Sequence, residues 1–91
     1  MRLDIHEKTS ARLKVVTALQ NKLQKDKKHI QGMKYRKLGM NLIAVDEFQK
    51  QRMMNRAVTD CNGACSKIYE QLNRERLQAG LPALENPYQK G

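Results

Sequence analysis

Apolar residues recur at helical spacing along most of the chain. Val16, Leu23 and Ile30 stand seven apart, and Ile5, Leu19 and Met33 follow a second heptad register that Arg12 and Asp26 interrupt. This pattern predicts an amphipathic first helix with an imperfect coiled-coil seam. Asp4-Ile5-His6-Glu7 has the form of a capping box, with Asp4 as N-cap, and Gly32 offers a stop or a kink. A helix over 4–31 would be ~42 Å long at 1.5 Å per residue.

A second stripe runs through Met54, Val58, Cys61, Cys65, Ile68 and Leu72, at separations of four, three, four, three and four. Between the two stripes the periodicity changes. Leu38, Leu42 and Val45 fit one helical face, although Gly39 costs ~1 kcal/mol inside a helix. At 100° per residue, Met54 lies ~180° from Val45, so one straight helix cannot turn both sets toward one core. Asp46-Glu47-Phe48-Gln49 can cap a fresh helix and favours a bend there. Gly80 followed by Pro82 marks the end of the second stripe. No strand-like alternation is read anywhere.

The expected fold is therefore all-α, a helical hairpin or three-helix arrangement with a long first helix. Residues 1–80 form a single helical domain, and 81–91 an extended C-terminal tail that Leu81, Leu84 and Tyr88 can anchor. The expected core is Val16, Leu19, Leu23 and Ile30 against Met54, Val58, Cys61, Cys65, Ile68 and Leu72. One stripe per helix encloses little apolar surface, so dimerisation into a bundle or a partner protein is expected to complete the fold. Leu38, Leu42, Val45 and Phe48 are the expected interface.

Composition narrows the function classes. The chain has 91 residues, 4% aromatics, no tryptophan, and 18 Lys plus Arg against 9 Asp plus Glu, for a formal charge of +9. A multidomain protein, a membrane span, collagen and a disulfide-rich toxin are excluded, and an enzyme with a deep pocket is not expected. The charge is concentrated. Residues 8–37 carry ten bases and one acid, while 38–91 carry seven bases and six acids. Such a field attracts phosphate backbones or acidic protein faces, the alternative being a solvated surface that keeps a small protein soluble.

The expected nucleic-acid-binding residues are Lys22, Lys25, Lys27, Lys28, Lys34, Tyr35, Arg36 and Lys37, joined by Arg52 and Arg56, which share a helical face. Phosphate contact needs many cations but no fixed spacing. Tyr35 between cations can stack on a base or pack on a lysine stem. Arginines suit forked contacts to phosphate or guanine. A helix-turn-helix over 31–50 with Gly39 at the turn is disfavoured, because Tyr35 falls where a small residue is preferred. A basic zipper also fits poorly, because its cations would precede the seam rather than mix into it.

Other chemistry is thinly represented. Cys61 and Cys65 read as small apolar core residues, because a lone C-x3-C lacks the further ligands that a zinc site requires. His6 and His29 have no triad partners, and no glycine-rich phosphate loop is present. No catalytic residue, metal or cofactor is expected, and a cytoplasmic location with no membrane attachment fits. Two readings remain. One is a small basic accessory protein that binds nucleic acid or a nucleic-acid enzyme through 22–37. The other is an adaptor, chaperone-like factor or inhibitor that docks an acidic surface of a larger protein. Both expect a homo-oligomer or a subunit of a larger complex.

Overall fold

The computed structural model describes residues 4–89, and residues 1–3 and 90–91, at the ends of the expected domain and tail, lie outside the described residues. The chain forms helix α1 (Ile5–Gln31), strands β1 (Tyr35–Leu38) and β2 (Asn41–Ala44), and helix α2 (Glu47–Gln78). It is mostly helical, with a small two-stranded sheet between the two helices.

Local chemistry sets the helix limits. Asp4 Oδ1 accepts the Glu7 N–H at 2.8 Å, and Asp46 Oδ1 accepts the Gln49 N–H at the same distance. Each bond satisfies a donor that the first helical turn leaves free. Gly32 caps α1. At the end of α2, Gly80 turns to φ +80° while its N–H donates to the Leu77 carbonyl and the Leu81 N–H donates to Arg76. This paired 5→2 and 6→1 pattern is a Schellman stop, which needs the left-handed backbone that glycine adopts without strain. Gly63 causes no break, and α2 runs through it.

The helices pack antiparallel. Arg12 Nε reaches Glu75 Oε1 at 3.1 Å, the Cys61 thiol meets the Leu19 carbonyl at 3.5 Å, and Lys50 Nζ donates to the Gln31 carbonyl at 3.1 Å. Thr9, Val16, Leu23 and Ile30 form the buried line of α1, one residue per heptad. Cys65 and Leu72 face them from α2 and are fully enclosed. Leu19, Met54, Val58, Cys61 and Ile68 flank this line half-buried. Arg12, which interrupts the heptad pattern, sits at the seam because Glu75 compensates its charge.

Residues 33–45 correct the all-α expectation. They form a β-hairpin in which Tyr35 pairs with Ala44, Arg36 with Ile43, Lys37 with Leu42 and Leu38 with Asn41. The loop is Gly39-Met40, with Gly39 at φ +62° and Met40 at negative φ. Positive φ at the first loop residue alone is the type II′ turn, whose twist matches that of paired strands. Leu38, Leu42 and Val45 therefore share no helical face, and Leu38 and Leu42 lie on opposite faces of the sheet. The three-helix alternative is also set aside, since the described residues contain two helices.

Residues 81–89 fold back along α2. Asn73 makes twin 2.8 Å bonds with Leu84, its amide donating to the carbonyl and its oxygen accepting the N–H. Asn86 Nδ2 donates to the Ser66 carbonyl and hydroxyl, and Tyr88 packs on Tyr69 with ring centres 5.9 Å apart. Burial pushes the Tyr88 phenol up from its ordinary value, helped by the nearby Cys65 thiol and opposed by Gln20. Burial also raises the Cys65 thiol, with a further contribution from Cys61.

Two outcomes follow from this packing. The Thr9 hydroxyl is buried without a hydrogen-bond partner. Thr9→Val is expected to raise stability by about 1 kcal/mol, read as a shift of the urea midpoint, because it removes an unsatisfied polar atom. Both raised groups are neutral acids in the fold, so their contribution is complete below their ordinary values and is lost as pH rises. The melting temperature should fall as pH passes 9.0, the ordinary thiol value. Tyr88→Phe should lessen the part of that fall above 10.0, the ordinary phenol value, in thermal melts followed by circular dichroism.

Candidate anion-binding groove

The two flanks of the helical seam differ. One is covered by the returning tail, which lies over Ser66, Tyr69 and Asn73. The other is an open groove of about 530 Å³, floored by Leu19, Leu23, Met53 and Ala57. Lys22, Arg36 and Arg56 stand on its walls together with Asp26 and Asp60.

Toward the hairpin the groove continues into a second depression of about 430 Å³, where Arg36, Arg52 and Arg56 meet Leu38, Ile43 and Met53. Three guanidinium groups thus converge from two elements. Arg52 and Arg56 are neighbours by one helical turn of α2, and Arg36 arrives from β1 on the sheet face that also carries Leu38 and Ile43. Arg52 lies over the Phe48 ring, with Cζ 6.0 Å from its centre, a geometry that favours a cation on an aromatic face. Among the described residues, the ion pairs closer than 4 Å are Arg12–Glu75 and Lys50–Glu47, so none of the three arginines is held by a carboxylate at that distance. The acids on the groove wall, Asp26 of α1 and Asp60 of α2, line the first depression and not the hairpin end.

Lys22, Arg36, Arg52 and Arg56 are therefore brought together, and the other expected contact residues are not. Measured from buried Leu23 at 100° per residue, Lys22 lies about 100° to the groove side, Lys27 about 40° to the other side, and Lys25 and Lys28 about 160° and 140° away. Lys22, Lys25 and Lys28, spaced three apart, thus span about 120° of the solvent-facing side of α1, and Lys27 lies apart from them near the seam. Tyr35 and Lys37 occupy the sheet face opposite Arg36, and Lys34 is exposed ahead of β1. The expected interface residues Leu38, Leu42 and Phe48 are exposed and Val45 is half-buried, all at the hairpin end.

Ile43 and Met53, which line this end, are not among the expected site residues, and Leu38 is expected only as an interface residue. Their signal in the sequence is weak, because it depends on recognising Gly39-Met40 as a strand-linking loop. Cys61 and Cys65 are free thiols, and no group of three or more His, Cys, Asp or Glu side chains among the described residues is placed to hold a metal ion. No helix among the described residues is long and apolar enough to cross a membrane.

Comparison with protein-family models, with curated proteins and with solved structures finds no match to the chain.

Proposed function

We propose that this protein is a small basic accessory factor that contacts the phosphate backbone of nucleic acid, alone or alongside a nucleic-acid enzyme. Convergence of Arg36, Arg52 and Arg56 at the hairpin end of the groove carries this reading. Guanidinium forks match phosphate oxygens, and no carboxylate among the described residues lies within 4 Å of these three to occupy their donors. Apolar Leu38 and Ile43 beside them offer surface for a base or a sugar. The lysines on the solvent side of α1, outside the groove, add long-range attraction.

A cytoplasmic setting belongs to this reading, since a reducing compartment keeps Cys61 and Cys65 as thiols. So does assembly, either as a homo-oligomer or within a larger complex. The second reading, docking on an acidic protein surface, is favoured by exposed Leu38, Leu42 and Phe48 around the arginines. In that case apolar anchors dominate the off-rate and salt acts mainly on the on-rate.

The test is a salt titration of binding to mixed-sequence DNA and RNA. Affinity should fall steeply with salt, and the Arg36→Gln, Arg52→Gln, Arg56→Gln triple variant should flatten the log–log slope by about 2–3. A Lys25→Gln, Lys28→Gln control should change it by less. Absence of binding at ~50 mM salt, or a triple variant with an unchanged slope, would leave the protein-docking reading in its place.

A further inference from the structure

The two edges of the β-hairpin are chemically unlike. β1 reads YRKL and follows Lys34, whereas β2 reads NLIA and carries no charge. Charged side chains, lysine above all, protect a strand edge from pairing with another strand, and an uncharged apolar edge has no such protection. The pairing pattern shows which backbone groups are free. Val45 N–H donates to the Lys34 carbonyl at 3.0 Å. Alternation along an antiparallel ladder then turns the N–H and C=O of Ile43 inward and those of Leu42 and Ala44 outward. Every residue of β2 is exposed, and the strands approach each other but no helix backbone.

The molecule also exposes more surface than its mass requires. Its accessible area is 7421 Å². A compact monomer of 10.5 kDa exposes ~5,400 Å². The difference of roughly 2,000 Å² exceeds the ~800 Å² per partner of a standard interface. Six of the eight exposed large apolar side chains among the described residues, Tyr35, Leu38, Met40, Leu42, Ile43 and Phe48, are gathered at the hairpin end.

We propose that β2 pairs antiparallel with β2 of a second copy about a twofold axis, forming a four-stranded sheet with the two β1 strands outermost. The outward groups define the register. Leu42 exchanges both its hydrogen bonds with Ala44 of the second copy, Ala44 does the same with Leu42, and Ile43 faces Ile43 across the axis. This register uses every outward backbone group of both β2 strands and sets no charged side chain of one β2 against another. The two β1 strands, with Arg36 and Lys37, end up three strand spacings apart, roughly 14 Å, beyond the ~8 Å screening length at physiological salt. An acidic foreign strand would find its charge complement on β1, so the neutrality of β2 selects a neutral strand like itself. This assembly is a continuous sheet rather than a helical bundle, and its backbone pairing needs no ligand in the groove, although Ile43 also lines the hairpin end of that groove.

Sedimentation and light scattering on the whole chain should give twice the 10.5 kDa mass, and added salt should preserve that mass while it weakens nucleic-acid binding. Ile43→Lys sets two ammonium groups against each other at the axis, and Leu42→Pro removes an outward N–H without touching the hairpin's own ladder. Each should weaken the dimer about tenfold or more, with helicity by circular dichroism confirming the fold. Ile43→Cys should cross-link on mild oxidation into a species of doubled mass, and Lys37→Cys and the unsubstituted chain should not; this arm decides the matter if a substitution unfolds the hairpin. The proposal is overturned by a monomeric mass at high concentration. It also fails if the dimer is indifferent to both folded variants, or if Lys37→Cys cross-links as readily as Ile43→Cys.

Discussion

A pair of helices can enclose side chains only along its line of closest approach. Here that line carries Val16, Leu23 and Ile30 against Cys65 and Leu72, with no third layer of helix behind either side. Everything else is arranged around this narrow seam. The Arg12–Glu75 pair guards its N-terminal end, Lys50 ties α2 to the last carbonyls of α1 at the other, and the tail covers one flank. With so few residues fully enclosed, stability is spread over caps, polar ties and half-buried flanking residues rather than concentrated in a hydrophobic centre.

The antiparallel arrangement also explains the groove. Two helices held side by side leave a furrow on each flank, and the chain fills one furrow with its own C-terminal segment. The connection between the helices is a hairpin of four cross-strand pairs, and it places Arg36 at the mouth of the open furrow. Arg52 and Arg56 are fixed independently by the first turns of α2. Positive charge at that end is therefore a product of tertiary placement, made from residues 16 and 20 positions apart in sequence.

Much of the helical layout was legible in the sequence because its signals are local. Asp4, Asp46 and Gly80 act within one turn of their own positions, and seven-residue spacing marks the buried line of α1 directly. The hairpin was not legible for a physical reason. Strands of four residues joined by a two-residue loop place Leu38, Leu42 and Val45 at separations that a helix also produces. Gly39 reads as a cost within a helical pattern, whereas in the fold it is the positive-φ residue of a turn. The candidate site was partly legible: the arginines stood out by type, but their meeting point depends on a strand the periodicity concealed. Conversely, the 100° step of α1 turns Lys27 away from its neighbours in sequence, and it keeps Lys25 and Lys28 on the solvent side, outside the groove that the arginines line.

Asn73 has one more role, which its twin bonds to Leu84 define. A side-chain amide that both donates to and accepts from one peptide unit imitates the edge of a neighbouring strand, and it admits a single alignment. With Leu84 fixed in that way, the three residues between it and Tyr88 act as a metered spacer whose length sets where the ring lands. Adding or deleting one residue in that spacer would carry the ring away from Tyr69 even if every contact-making side chain were kept, so chain length there is itself part of the information that specifies the fold.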